Sequence, residues 1–306
     1  MNAGVKLALK VDVDTFRGTR EGVPRLARLL ERRGAGASFF FSLGPDHTGR
    51  AVKRIFRKNF FGKVRRTSVL RHYGLGTLLY GTLLPGPDIG RRCAGEMRAV
   101  RAAGFEVGVH CWDHVRWQDF VAGRDAAWTE REMALAEERF ESIFGERPKS
   151  WAAAGWQMNR HAAAWQQRAR LEYASDTRGF SPFVPLWNGE AVGCMQIPTT
   201  LPTLDELIGR EADPVASLLA ATAPGAPHVF TAHAELEGGE LANALEALLA
   251  GWTAQGYEIV SLAAFRRGLD DRTLPRHEVV FAEVPGRSGT LAAQGPLRQV
   301  RGAGAA

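Results

Sequence analysis

Two hydrophobic periods alternate along this chain. Residues 5–11, Val5-Lys6-Leu7-Ala8-Leu9-Lys10-Val11, place apolar and polar side chains with period two, as a half-buried strand does. Helical spacing follows at Val23, Leu26, Leu29 and Leu30, with Pro24 near the start and Gly34 past the end. Ala37-Ser38-Phe39-Phe40-Phe41 reads as a second, buried strand. A helix is predicted over 89–103, stopped by Gly104, then a strand over 105–109. Thr129-Glu130-Arg131-Glu132 is a capping-box pattern that predicts a helix opening there and running to about Phe144. A strand at 150–154, a helix at 161–169 and a strand near Tyr173 continue the series. Next come a strand-like Met195-Gln196-Ile197, a helix over 214–223 and a strand over 228–231. A helix over 240–252 and a last strand, Tyr257-Glu258-Ile259-Val260, complete it. From about Asp270 the chain turns Gly-, Pro- and Arg-rich and loses periodicity, which predicts a mobile tail over 270–306.

Strand–helix alternation of this kind predicts a parallel sheet, and at this length an α/β fold closed into a (β/α) barrel over 1–269. No helix-opening Gly-rich fingerprint follows any strand, which disfavours a nucleotide-binding sheet. The 306 residues are 45% apolar, ample for one large core. Three scattered cysteines, Cys93, Cys111 and Cys194, form no disulfide framework and point to a reducing compartment. With no basic leader before an apolar stretch, and no run of the ~20 apolar residues a membrane span needs, the expectation is a cytoplasmic protein.

Charge changes the picture in one place. Nine cations and no acidic residue lie between Asp46 and Asp88, more than the whole net charge of +6. They interleave with Ile55, Phe56, Phe60, Phe61, Leu78, Leu83 and other large apolar residues. A cationic amphipathic insertion over 47–88 reads as an element facing an anionic membrane, each cation contributing about 1 kcal/mol near such a surface. Arg54, Lys58, Lys63, Arg65 and Arg66 are the candidate contacts to lipid phosphate. A helical excursion with a solvated basic side is the plainer reading. Nucleic-acid binding fits less well, because the apolar residues come in blocks. No obligate protein partner is evident.

The candidate chemistry sits where strands end. Asp12 and Asp14, at i and i+2 of one strand, share a face and repel each other unless a cation or proton lies between. His110 and His114 end a later strand four positions apart, where two imidazoles reach one divalent ion. Taken alone, that pair serves an aromatic cluster with Trp112 equally well. His233 ends the 228–231 strand, and Asp176 follows the Tyr173 strand. Barrel enzymes keep their chemistry at this rim. A lone histidine is more often a core residue, and Asp176 and Glu237 serve as loop carboxylates as readily as partners that orient imidazoles. Cys111 points away from its neighbour His110 and is left out.

The Asp12-Val13-Asp14 strand end, the His110-Cys111-Trp112-Asp113-His114 strand end and the late strand ending in His233 resemble the polysaccharide deacetylase (NodB-homology) superfamily. Longer runs sharpen the likeness: residues 12–26, 39–46 and 107–114, Ala152-Ala153-Ala154-Gly155-Trp156, residues 196–203, and His233-Ala234-Glu235-Leu236-Glu237-Gly238. They are similar to the branch that removes formyl groups from undecaprenyl-phosphate-linked 4-formamido-L-arabinose, and the resemblance spans residues 5–265. It implies a distorted (β/α) barrel of the NodB type carrying the basic insertion. It implies that Asp14, His110 and His114 hold a divalent metal (Zn, Co, Mn or Fe), that Asp12 is general base and that His233 is general acid. Most superfamily members orient the base with an Arg in the motif that here reads Ala152 to Trp156; Arg178 is the candidate replacement and Trp156 a candidate substrate contact. The implied substrate is a lipid-linked sugar at the cytoplasmic face of the inner membrane, in aminoarabinose modification of lipid A and resistance to cationic peptides. Amide hydrolysis suits the set: a divalent ion lowers the pKa of water towards ~7, a carboxylate takes its proton and an imidazole protonates the amine. An N-deacetylase of acetylated sugars and a non-catalytic isoprenoid-phosphate binding module are the alternatives.

Overall fold

The computed structural model describes residues 4–55, 77, 79–222 and 225–298. Strands β1 (Val5–Val13), β2 (Ser38–Ser42), β3 (Glu106–Cys111), β4 (Ser150–Trp151) and β5 (Tyr173–Ala174) pair in sequence order, all in parallel. Strands β6 (Val184–Trp187) and β7 (Glu190–Ala191) belong to a second sheet. β8 (His228–His233) pairs with the other edge of β1, and β9 (Tyr257–Val260) pairs with the first half of β1 below β2. Residues 195–201 bridge β5 to β8. Ile197 N donates to Ala174 O at 2.8 Å and Thr200 N to Val229 O at 3.1 Å. The result is the distorted (β/α) barrel that the sequence predicts.

The alternation in β1 has another cause than a solvent face. Leu7, Leu9, Val11 and Val13 pack into the large core beneath the surrounding helices. Ala8 lies among Phe40, Tyr173, Ile197 and Val229 in the barrel interior. Lys10 and Asp12 follow on that same inward face, 0% and 3% exposed. The polar positions are therefore a polar lumen. Gly108, inward on β3, leaves room for Phe40: a Cβ there would lie 2.5 Å from its ring.

Two sequence expectations need correction. The helix Ala126–Phe144 starts ahead of the Thr129 pattern, because Asp125 caps it by accepting from Trp128 N at 2.9 Å, while the Thr129 hydroxyl donates to Asp125 O. Residues 270–298 are no loose tail. β10 (Arg276–Glu283) and β11 (Thr290–Leu297) form an antiparallel hairpin, and β10 pairs in parallel with β6. With β7, these strands form a four-stranded second sheet. His277 and Val279 alternate inward along β10, so the strand has a buried face after all.

Charged groups lock this hairpin to the barrel. Arg287, at its tip, donates to Glu206 Oε1 at 2.7 Å, and Arg178 meets the same oxygen at 2.5 Å. Glu206 is 2% exposed. Burial raises its carboxyl, but Arg178 and Arg287 outweigh that and hold it below the usual range; the neighbouring Asp205 behaves likewise under Arg287. With both carboxyls depressed by folding, their stabilisation is complete above the ordinary values near ~4 and is lost as pH falls through the lower folded values. Glu206→Gln should cost of the order of 3 kcal/mol at neutral pH in urea unfolding, and its stability should fall less steeply than wild type below pH ~4. Parallel acid slopes would contradict this. Close backbone packing gives a second test. A Cβ at Gly22 runs into the Ala234 carbonyl, whereas one at Gly95 meets nothing within 4 Å. Gly22→Ala should cost about 1–3 kcal/mol, and Gly95→Ala, in an open helix, should be neutral or stabilising by up to ~1 kcal/mol.

Candidate active site

At the barrel mouth, Asp14 follows the end of β1 and His110 lies near the end of β3, while His114 is the first residue of the helix His114–Phe120. Asp113 caps that helix, accepting from Arg116 N at 3.1 Å, and its other oxygen meets His47 Nδ1 at 2.6 Å. A strand end followed by a capped helix thus brings the two imidazoles together, their centroids 5.3 Å apart. His110 Nε2 lies 3.2 Å from Asp14 Oδ1 and His114 Nε2 lies 3.4 Å from Asp14 Oδ2. One ligand atom from each residue falls within 4.8 Å of the others.

The donor set fits a divalent cation. His110 Nδ1 donates to Ala152 O at 2.6 Å, which assigns the ring proton to Nδ1 and leaves the Nε2 lone pair facing the Asp14 carboxylate. Two acceptors so close call for a cation or a proton between them. Burial raises the Asp14 carboxyl, but the His114 and His110 rings outweigh it and keep the group well below the carboxylate range. Tetrahedral N/O sites of two His and one carboxylate are typical of catalytic zinc and its substitutes.

Asp12 stands beside this set. Its Oδ1 is 3.8 Å from His110 Nδ1, and its Oδ2 is 3.2 Å from Lys10 Nζ. Lys10 also donates to Ser175 O at 3.2 Å and lies over the Trp156 ring. Burial lowers its ammonium pKa against the opposing pull of Asp12. Lys10, absent from the sequence expectations, is therefore the cation that touches the candidate base. Arg178 does not take that place: its guanidinium is committed to Glu206 and, at 3.0 Å, to Leu201 O. It meets the site through the face of Trp156, 5.0 Å from the ring centroid.

His233 neighbours Asp12 across the β1–β8 pairing. Its ring stands edge-on to Trp156, and its Nδ1 is 3.8 Å from Asp205 Oδ1, a charge contact too long for a hydrogen bond. Burial disfavours the charged imidazole, but Asp205 and Asp14 outweigh it and raise the pKa. Neither expected partner touches the ring. Glu237 instead accepts from the His233 backbone N at 2.7 Å, and burial pushes its carboxyl up to about 7. Asp176 accepts from Ala153 N and from Gln166 and Gln196, a buried knot behind the rim. Glu235 was not anticipated either. It accepts from the backbone of Asp14 and from both Thr15 donors, and burial with the Asp14 charge pushes its carboxyl up to about 8. The Arg54 side chain and Lys58, Lys63, Arg65 and Arg66 lie outside the described residues.

Known proteins share the sequence and fold that carry this site. The polysaccharide deacetylase family model matches residues 6–174. A Shewanella sediminis (strain HAW-EB3) protein is 35% identical over 296 residues, covering 95% of each chain. It carries the name "probable 4-deoxy-4-formamido-L-arabinose-phosphoundecaprenol deformylase". A crystal structure assigned as a polysaccharide deacetylase from Mycobacterium smegmatis superposes with a TM-score of 0.63 at 16% identity, covering 93% of this chain and 97% of that one. A Bacillus anthracis protein described as a CE4 family pseudoenzyme superposes at 0.53 and 14% identity, covering 91% and 70%. Fold likeness of this kind extends to a member without activity, so function rests on the residues at the mouth. By its sequence, the chain belongs to the polysaccharide deacetylase family, and its barrel agrees.

Proposed function

We propose that this protein is a metal-dependent deformylase that hydrolyses the formamide of an undecaprenyl-phosphate-linked 4-formamido-L-arabinose, releasing formate and the free amino sugar lipid. The observation that carries this reading is the convergence of Asp14, His110 and His114 with Asp12 on one side and His233 on the other. The name of the Shewanella relative supplies the substrate class.

Asp14, His110 and His114 would hold the ion, which when bound lowers the pKa of water and polarises the formyl oxygen. Asp12 removes a proton from the attacking water, and its Oδ1, buried without a hydrogen-bond partner among the described residues, is the acceptor. Lys10 fixes the other oxygen. As the C–N bond breaks, His233 donates a proton to the leaving nitrogen; burial disfavours its charged form, but Asp205 and Asp14 outweigh burial and favour the donor. Asp12 then gives the water proton up to solvent and His233 takes one back from it, which resets both groups.

The nine cations of the 47–88 insertion support binding at an anionic bilayer, where such a substrate is presented. Leu83, 81% exposed, and the neighbouring Leu84 add apolar contact in the described part of that insertion. Among the described residues no helix is long and apolar enough to cross a membrane. Attachment would therefore be peripheral, and we place it at the cytoplasmic face.

Incubated with the formamido lipid, the protein should release formate. Chelation should abolish turnover and Zn²⁺, Co²⁺ or Mn²⁺ should restore it, while Asp12→Asn and His233→Ala should each lower kcat about 10²–10⁴-fold. Release of acetate from an acetylated sugar, with none of formate, would replace this reading by N-deacetylation. Failure to turn over either substrate with any of these ions would leave a lipid-binding module. Binding to vesicles with anionic lipid should weaken as salt rises, because charges of this kind are screened; binding indifferent to lipid charge would remove the membrane part of the proposal.

A further inference from the structure

The hairpin β10–β11 lies beyond the matched 6–174 segment, yet its tip reaches the barrel mouth. Val284-Pro285-Gly286-Arg287 forms the turn, closed by Arg287 N donating to Val284 O at 3.0 Å. Gly286 takes φ +91, the left-handed conformation that a Pro-Gly turn of this type requires at its third residue. The same glycine permits close docking. A Cβ there would lie 2.7 Å from Glu206 O, on the helix Leu204–Leu207.

That docking presents the Arg287 guanidinium edge-on to a row of acceptors. Nε donates to Glu206 Oε1 at 2.7 Å, and Nη1 lies 3.0 Å from Asp205 Oδ2. Nη2 donates to Thr203 Oγ1 at 2.9 Å and to Asp205 Oδ1 at 3.2 Å. Asp205 Oδ1 is the oxygen that faces His233 Nδ1 at 3.8 Å. The ring nitrogen is itself buried and has no hydrogen-bond partner among the described residues. Contacts of this length tighten when substrate closes a site. Arg287 also lies over Trp156, 4.9 Å from the ring centroid, and His233 stands against the edge of the same indole.

We infer that Arg287 is a positioning residue: it clamps Asp205 against His233 and so aims the imidazole of the proposed acid, which makes the second sheet part of the active site. A direct contact to the substrate phosphodiester is the competing role for a cation at this rim. The geometry favours the clamp, because donors on all three guanidinium nitrogens already point at protein acceptors and the carboxylates neutralise its charge.

This inference rests on the reading of His233 as acid, so its test has an arm that needs no turnover. In the full chain, the imidazole ¹⁵N–¹H signals of His233 should move in Arg287→Ala towards those of Asp205→Asn, with Arg287→Lys between them, since an ammonium keeps the charge but loses the fork. His233 signals unchanged in Arg287→Ala would overturn the inference, whether or not the protein proves to be a deformylase. In formate release, Arg287→Ala should lower kcat about tenfold or more with KM little changed. The double variant Arg287→Ala/Asp205→Asn should be no slower than Asp205→Asn alone. A raised KM with kcat intact, or losses that multiply, would show that Arg287 works directly on substrate. Lack of formate release by the wild type would instead refute the proposed function and leave the spectroscopic result standing.

Discussion

Everything at the mouth depends on strand β1, which carries Lys10 and Asp12 along its inward side and delivers Asp14 just past its end. Charges buried this deeply are unstable alone, since removing an ion from water costs several kcal/mol even after relaxation. Asp12 finds Lys10, and Asp14 meets two imidazoles with which it calls for a cation or a proton between them. Two carboxylates two residues apart are thereby separated into different electrostatic settings. One is set against an ammonium and the other against ligand nitrogens. In the proposed reaction, that division is what would let Asp12 act as a base while Asp14 holds a metal.

The surrounding structure serves this arrangement. Close packing of the Gly22 backbone against Ala234 keeps the end of β8 near the end of β1, where Glu235 gathers the amides of Asp14 and Thr15. Ala152 O fixes the tautomer of His110 from β4's end. Trp156, with φ +51 after Gly155 at φ +61, sits where a strained turn places an indole among Lys10, Arg178 and Arg287. Such strain persists only where the neighbours over-determine it. The second sheet then closes the circle from the carboxyl-terminal side.

The barrel was legible in the sequence because it is written in local signals, apolar strands and their period. The candidate metal set was legible because its residues lie in the motifs that carry the family resemblance; Asp14, His110 and His114 do come together. The partners of those residues were not, because a side chain's choice of neighbour is tertiary. Glu237, four residues after His233, looks like the natural companion of the imidazole. It loops back to the backbone N of His233 at the start of a short helix, as a capping carboxylate does, and Asp205 from the helix Leu204–Leu207, distant in sequence, faces the ring instead. Lys10 looked like a solvent-facing position because period two does not say which face is water and which is a polar lumen. The Pro285-Gly286 pair was a hairpin signal hidden in a stretch whose Gly and Pro content resembles a tail. The partners of Asp12 and His233 therefore had to come from the three-dimensional arrangement.

X-ray absorption on protein loaded with one equivalent of Co²⁺ or Zn²⁺ examines the heart of this arrangement most directly. Two imidazole nitrogens at ~2.0–2.1 Å with the remaining ligands oxygen, and one imidazole fewer in His114→Ala, are expected. A shell of oxygens alone, or one untouched by loss of His114, would mean that these three side chains do not share a cation.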